Sequence, residues 1–313
     1  MKESQVFNAY RQAALYIQSK LKEKNVSSPI IGIVCGSGLG GLSESLTNTY
    51  VIPYNEIPGF PPTTVAGHKG EIVFGNLSSS SIPTACFRGR FHSYEGHDMN
   101  IVALPVRVMR CIGIKLVLLT NAAGGLNPDY NVGDIVNVMD HFAIPMMAGN
   151  NPLIGRNDEE LGPRFPPTSN AYDDSLQTDI VLEAAKSLSF DSFVRPNGTY
   201  CFVSGPNYES RAECKFLRSL GGDSVGMSTV PEIITAHHTG MKVICLSLIT
   251  NKVVIEGNEG PPASHQEVLD AVEKRSEQMQ TLVQTIVMLL KTKGVLDSFP
   301  DLKPIDCSTQ LVN

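Results

Sequence analysis

The chain has 313 residues, 42% of them hydrophobic and 18% charged, and carries a formal net charge of −6. That length admits one large α/β domain or two small ones, and the composition is that of an ordinary globular protein. The acidic balance argues against a nucleic-acid partner, and no apolar run approaches the roughly 18 residues of a membrane span. The N-terminus shows no secretory apolar stretch, and the seven cysteines are scattered without a C-x-x-C pair, so a reducing, cytoplasmic setting is expected.

Residues 5–24 place Val6, Tyr10, Ala13, Ala14, Ile17 and Leu21 at helical spacing, which predicts an amphipathic helix. The apolar run from Ile30 to Cys35 then enters Gly36-Ser37-Gly38-Leu39-Gly40-Gly41, a buried strand ending in a tight corner with a helix soon after. Glycines let backbone N–H groups approach an anion and Ser37 adds a hydroxyl, so one reading is a phosphate site at the carboxyl end of the strand. Gly36, Gly38 and Gly41 also satisfy G-x-G-x-x-G, with Glu56 placed for a ribose, so a dinucleotide site is the competing reading.

Lys69–Leu77 and Ile82–Phe87 read as two strands joined by a solvated loop, Ser78 to Ser81. The segment from Arg88 to His97 is dense in chemistry, holding two guanidiniums, two imidazoles, a phenol and a carboxylate. Arginine offers a bidentate fork to phosphate, histidine adds hydrogen bonds, and Tyr94 offers a ring and a hydroxyl for a sugar. A helix over Ile101–Ile112 and a buried strand over Lys115–Thr120 follow, the strand ending in the small-residue corner Asn121 to Gly125. Ile135–Met139 is a further strand, followed by His141. Strands that end repeatedly in polar or glycine-rich corners mark the ligand edge of an α/β sheet.

Residues 145–172 form a Pro-, Gly- and Asn-rich loop containing Phe165, and a loop this long is functional or a contact surface. Helices are predicted over Asp174–Leu188 and Ala212–Leu220, and a strand over Gly198–Ser204. Val225 to Glu232 opens a helix that reaches His238, where Ser228 and Thr229 either bind an anion or cap the helix. The strand Lys242–Ile249 ends in the corner Thr250-Asn251-Lys252. A segment rich in Gly and Pro follows, and Ser264 then caps a long amphipathic helix to about Leu290. The stretch 295–313 reads as a peripheral tail. With no repeat and no linker, 1–313 is expected to be a single domain.

Taken in order, the motifs Gly-Ser-Gly-Leu-Gly (36–40), Gly-Arg-Phe-His (89–92), Tyr94-Glu95-Gly96, Thr-Asn-Ala-Ala-Gly-Gly (120–125), Gly-Pro-Asn-Tyr-Glu (205–209), Gly-Met-Ser-Thr-Val-Pro-Glu (226–232) and Leu-Ile-Thr-Asn-Lys (248–252) resemble trimeric, 6-oxopurine-specific purine nucleoside phosphorylase. The resemblance covers residues 8–290. It implies an α/β domain with a mixed, partly barrel-like central sheet surrounded by helices. The implied activity is reversible phosphorolysis of purine nucleosides such as inosine and guanosine, in purine salvage. Phosphate would be held by Ser37, His68, Arg90, His92, the backbone of Ala122, and Ser228. Ribose would meet Tyr94, Met227 and His265. The base would lie among Tyr200, Tyr208, Glu209, Val225 and Asn251. Glu95 would support the phosphate-binding histidine, and Phe165 would cover a neighbouring subunit's nucleoside in a homotrimer. No metal or organic cofactor is implied, inorganic phosphate being a co-substrate.

The chemistry is coherent on its own terms. Phosphorolysis holds a dianion beneath C1′, lets an oxocarbenium-like ribosyl develop, and stabilises a departing purine anion. Arg90, His92 and Ser228 supply charge and donors, Asn251 can bond N7, and Glu209 can accept N1–H. Two residues depart from the family pattern: Tyr208 stands where Phe is usual, and Arg88 where Gln is usual. Methylthioadenosine phosphorylase, of the same fold, is disfavoured by Asn251 and His265. A nicotinamide-dependent dehydrogenase leaves the 88–97, 205–209 and 226–232 clusters unexplained, and a non-catalytic nucleoside binder has no need of the phosphate groups.

Overall fold

The computed structural model describes residues 3–36, 39–65, 67–77, 81–255 and 265–308. Among the described residues nine strands form one mixed sheet: β1 (Ile31–Cys35), β2 (Leu46–Pro53), β3 (Glu71–Leu77), β4 (Ile82–Arg88), β5 (Leu116–Gly125), β6 (Ile135–Ala143), β7 (Val194–Phe202), β8 (Ser224–Gly226) and β9 (Lys242–Lys252). Their order is β2-β3-β4-β1-β5-β8-β7-β6-β9, and β9 also pairs with β5. The last pairing closes β5, β8, β7, β6 and β9 into a ring of five, while β1, β4, β3 and β2 extend from β5 as an open wing. This is the expected α/β architecture with a partly barrel-like sheet.

The sequence explains the middle of the wing. β1 lies between β4 and β5, parallel to both, and all five of its residues are buried. A strand covered on both faces reads as a continuous apolar run, which Ile31 to Cys35 is. β3 and β4 pair antiparallel as the predicted hairpin. β2, which no sequence signal announced, pairs with β3 at the edge, with four of its eight residues exposed and a register shift between Thr47 and Tyr50. Edge strands of this kind carry little apolar alternation.

Helices cover both faces. Glu3–Glu23 buries Tyr10, Ala13, Ala14, Ile17 and Leu21 on one side. His265–Thr292 buries Val272, Met279, Leu282, Val283, Ile286, Val287 and Leu290 on the other. Both are periodic as predicted. The helix predicted over 101–112 is broken at Ala103 into Met99–Val102 and Leu104–Cys111, with Pro105 in the first turn of the second piece. The helical stretch 174–187 contains a π-helical segment, Gln177–Leu182. Among the described residues, no helix is long and apolar enough to cross a membrane.

Two expectations are corrected. The small-residue corners 121–125 and 250–252 are the ends of β5 and β9 themselves, paired with each other and closing the ring. Small and polar residues there leave room for a cleft rather than ending the strand. The tail is not peripheral over 299–307. Phe299, Ile305 and Cys307 are buried, and the Ile305 N–H donates to the Cys111 carbonyl at 2.9 Å. Three apolar residues dock there without helical or strand period, so periodicity could not reveal them.

Candidate active site

The carboxyl ends of β1, β4 and β5, the segment after β8 and the end of β9 converge on one cleft of about 130 Å³. It is lined by His68, Arg90, His92, Tyr94, Ala122, Tyr208, Glu209, Val225, Met227, Ser228 and Asn251, together with Gly36, Asn121 and Thr250. Residues from sequence positions 36 to 251 thus meet because the ring closes. Gly36 is required by proximity. A Cβ there would stand 2.8 Å from the Thr120 carbonyl oxygen, so a side chain would force β1 away from β5.

Arg90 sits just beyond β4 and is 2% exposed. Its Nη1 donates to the Thr120 carbonyl at 3.0 Å and lies 3.3 Å from Ser228 Oγ and 3.4 Å from Thr229 Oγ1. Its Nε donates to Glu232 Oε1 at 3.2 Å. The guanidinium is therefore held from below by backbone, hydroxyl and carboxylate, and Nη2 has no partner among the described residues.

His68, His92 and Tyr94 form a column. The rings of His68 and His92 stack with centroids 5.5 Å apart, and those of His92 and Tyr94 at 4.5 Å. The Arg90 backbone N–H donates to His68 Nδ1 at 3.4 Å, which leaves the neutral ring's proton on Nε2 as a donor. Burial, with His92 and Arg90 nearby, pushes His68 down to about 3. Burial also lowers His92, against the opposing bond to Glu95.

Glu95 reaches back across a single 3₁₀ turn, Ser93–Glu95. Its Oε2 accepts the His92 backbone N–H at 2.8 Å and lies 3.2 Å from His92 Nδ1, while Oε1 accepts from Thr64. Burial alone would raise this carboxylate. The bonds from the His92 side chain, Thr64 and the His92 backbone outweigh it and bring Glu95 down to about 2. The carboxylate being ionised, His92 Nδ1 carries the proton, and Nε2 is the ring atom left for a ligand.

At the other end of the cleft, burial raises Glu209 above the usual glutamate range. Asn251 is aimed by a β-bulge. Ala123 pairs with Ile249 but Gly124 with Asn251, so Thr250 is the extra residue. The Thr250 hydroxyl lies 3.3 Å from Asn251 Oδ1 as a donor.

Ser228 is presented by an unusual turn. Thr229 has φ 76° and ψ −49°, and the Val230 N–H donates to the Ser228 carbonyl at 2.8 Å, closing a γ-turn. A β-branched residue at positive φ is strained by about 1–3 kcal/mol. The strain is held by the Thr229 hydroxyl, which accepts from Asn121 Nδ2 at 3.0 Å and stands 3.0 Å from Ser228 Oγ.

Several residues named from the sequence are placed differently or lie outside the described residues. Tyr200 is fully buried and does not line the cleft; its hydroxyl stands behind Gly226, 2.3 Å from where a Cβ would be. It fills the space that a glycine leaves, and so backs the wall rather than facing a base. Ser37 and the His265 side chain lie outside the described residues, as do Ser78 to Ser80 of the serine loop. Phe165 is 86% exposed, with the Arg164 guanidinium 5.6 Å from its ring centroid. It does not anchor its loop. That task falls to Asp158, which accepts from Arg11 at 2.6 Å and from Tyr10. Glu56 is bonded to Tyr16 on the surface, away from the glycine corner. Asn121 and Glu232, which support Thr229 and Arg90, are residues that the sequence did not single out, and Thr229 was left between binding an anion and capping the helix. For Thr229 and Glu232 the signal was the spacing of Thr229-Val230-Pro231-Glu232, which matches a helix capping box.

The family model of the phosphorylase superfamily matches residues 30–288. The purine nucleoside phosphorylase of Rattus norvegicus is 43% identical over 287 residues, covering 92% of this chain and 96% of that protein. The chain belongs to the purine nucleoside phosphorylase family. Solved phosphorylases of this family have the same fold. A Schistosoma purine nucleoside phosphorylase in complex with hypoxanthine superposes with a TM-score of 0.84 at 40% identity, covering 90% of this chain and 96% of that one. The Schistosoma mansoni purine nucleoside phosphorylase in complex with adenosine gives the same TM-score, identity and coverage. The dinucleotide reading of the glycine corner is thereby set aside. The phosphorylase motifs carry Tyr208 and Arg88 at the two departing positions, and Arg88 is paired with Glu71 at 2.8 Å.

Proposed function

We propose that this enzyme cleaves 6-oxopurine nucleosides such as inosine and guanosine reversibly with phosphate, giving free base and ribose 1-phosphate, in a role suited to purine salvage. The observation that carries the reading is one cleft with an anion-binding end at Arg90, His68, His92 and Ser228, and a base-reading end at Glu209 and Asn251. Such a cleft fits a dianion and a purine with a ribose between them.

In this reading phosphate lies on the Arg90 guanidinium, His68 Nε2–H and the Ser228 hydroxyl, joined by the Ala122 backbone and Ser37. The hydroxyl of the hydrogen-phosphate dianion donates a hydrogen bond to Nε2 of neutral His92, and protonated His92 would donate to a phosphate oxygen instead. Tyr94, Met227 and His265 contact ribose. As the C1′–N9 bond lengthens, ribose gains oxocarbenium character and phosphate oxygen attacks C1′ from the opposite side. Negative charge moves onto the purine, where Asn251 bonds N7 and Glu209 accepts N1–H. Tyr208 and Val225 pack on the base, and Tyr200 backs the wall. The reaction as written calls for no cofactor beyond phosphate as co-substrate. The exposed Phe165 supports a homotrimer in which each subunit covers its neighbour's nucleoside, since a bare aromatic on an anchored loop suits a closed ring of heterologous contacts.

The test is inosine loss with and without phosphate, with ribose 1-phosphate followed in parallel. Cleavage is expected only with phosphate or arsenate. Equal loss in phosphate-free buffer would mean a hydrolase and overturn the reading.

A further inference from the structure

The sequence Thr229-Val230-Pro231-Glu232 has capping-box spacing at the start of the helix Val230–His238, yet the box is not made. In a capping box the first side chain accepts from the backbone N–H of the fourth residue, and the fourth side chain returns to the N–H of the first. Here the γ-turn at Thr229 rotates both out of that exchange. Thr229 makes no side-chain cap bond. Its hydroxyl stands 3.4 Å from Arg90 Nη1, and Glu232 Oε1 takes Arg90 Nε at 3.2 Å. Glu232 is 2% exposed, a carboxylate withdrawn from water that Arg90 alone bonds among the hydrogen bonds described. Buried carboxylates are expensive unless paired, so the pairing has a structural consequence: it fixes which nitrogens of Arg90 remain for a ligand.

We propose that Glu232 is a positioning residue for phosphate, acting through Arg90. The inference rests on the phosphorolysis reading above. With Nε on Glu232 and Nη1 on the Thr120 carbonyl, the guanidinium plane is set from two sides, and Nη2 is left to the anion. The role is one of reach rather than charge. As a bare counter-charge, Glu232 would weaken phosphate binding, since it neutralises the cation that phosphate needs. Geometry and charge therefore make opposite demands, and two substitutions separate them.

Glu232→Asp keeps the charge and withdraws the acceptor by about 1.5 Å, one carbon–carbon bond. A misplacement of about 1 Å in a catalytic group can lower rate about 10²-fold. The KM for phosphate is expected to rise about tenfold to hundredfold, with the KM for inosine within about twofold of wild type. Glu232→Gln keeps an acceptor at the same reach and removes the charge, and its phosphate KM is expected at or below the wild-type value. Both variants are measured as purified full-length enzyme with inorganic phosphate and inosine varied independently. A wild-type phosphate KM in Glu232→Asp overturns the inference. So does a Glu232→Gln variant impaired as much as Glu232→Asp, or a parallel rise in both Michaelis constants, which is what general loosening of the fold produces. Inosine loss by wild type that ignores phosphate overturns the phosphorolysis reading itself, whatever the order of the variants.

Discussion

Replacing Glu95 by glutamine isolates the ionised partner of His92 while keeping its size. Glu95 takes two bonds from His92, one from the backbone N–H at 2.8 Å and one at the ring Nδ1 at 3.2 Å, and its side chain is 3% exposed. Its descent from the usual 4.5 to about 2 measures how strongly the fold favours the carboxylate, against the opposing pull of burial. With each whole step in pKa equal to about 1.4 kcal/mol, the carboxylate contributes up to about 3 kcal/mol to stability near neutrality. The folded value is depressed, so this contribution is fully present above the ordinary value of about 4.5 and is lost as pH falls toward about 2. The margin in Tm between wild type and Glu95→Gln should therefore be widest near neutrality and shrink on acidification. In the same variant His92 loses the partner that fixes its proton on Nδ1 and opposes the lowering by burial. A charged hydrogen bond of this kind is worth about 1.5–3 kcal/mol, so kcat/KM for phosphate should fall about ten- to hundredfold, with the KM for inosine little changed. Steady-state phosphorolysis and thermal melts across this pH range test both halves. A variant with wild-type kcat/KM for phosphate and a pH-independent Tm margin would refute the reasoning.

Phe165→Ala should raise the KM for nucleoside more than that for phosphate, and sedimentation should show a trimer; a fully active monomer would rule out the shared pocket. Adenosine should be cleaved on the order of 10³-fold less well than inosine near neutrality, because its N1 lone pair faces the Glu209 carboxylate and its 6-amino group lacks an acceptor. Asn251→Asp should narrow that gap by supplying an acceptor while slowing inosine turnover, and an unchanged preference would show that residue 251 does not read the base. Burial raises Glu209, so its acid form, which donates to adenine N1, is populated at higher pH than in an ordinary glutamate. The ratio of adenosine to inosine cleavage should accordingly increase as pH falls, and a flat ratio would exclude Glu209 as the N1 partner.

Sequence alone determined the parts of this protein whose physics is local. β1 was legible because a strand buried on both faces needs an unbroken apolar run, and the first and last long helices because one buried face imposes a helical period. Arg90, His92 and Tyr94 were legible as a group because they follow one strand within five residues, and Glu95 because one short turn brings it back to His92. Glu209 and Asn251 were legible as a pair only through their resemblance to a family, since nothing within their own segments says that they meet, and Ser228 stood between anion binding and helix capping until that resemblance was drawn. Tertiary structure decided the rest. Closure of β9 onto β5 turned two small-residue corners into the floor of a cleft, a long-range pairing that no local pattern encodes. The bulge at Thr250 decided where Asn251 points, and the glycine at 226 decided that Tyr200 stands behind the wall. The tail at 299–307 was decided by docking on the core without periodicity. At Thr229 and Glu232 the local code and the tertiary structure disagree. The spacing specifies a helix cap, but a buried guanidinium from just beyond β4 takes Glu232, and Asn121 together with that guanidinium takes Thr229.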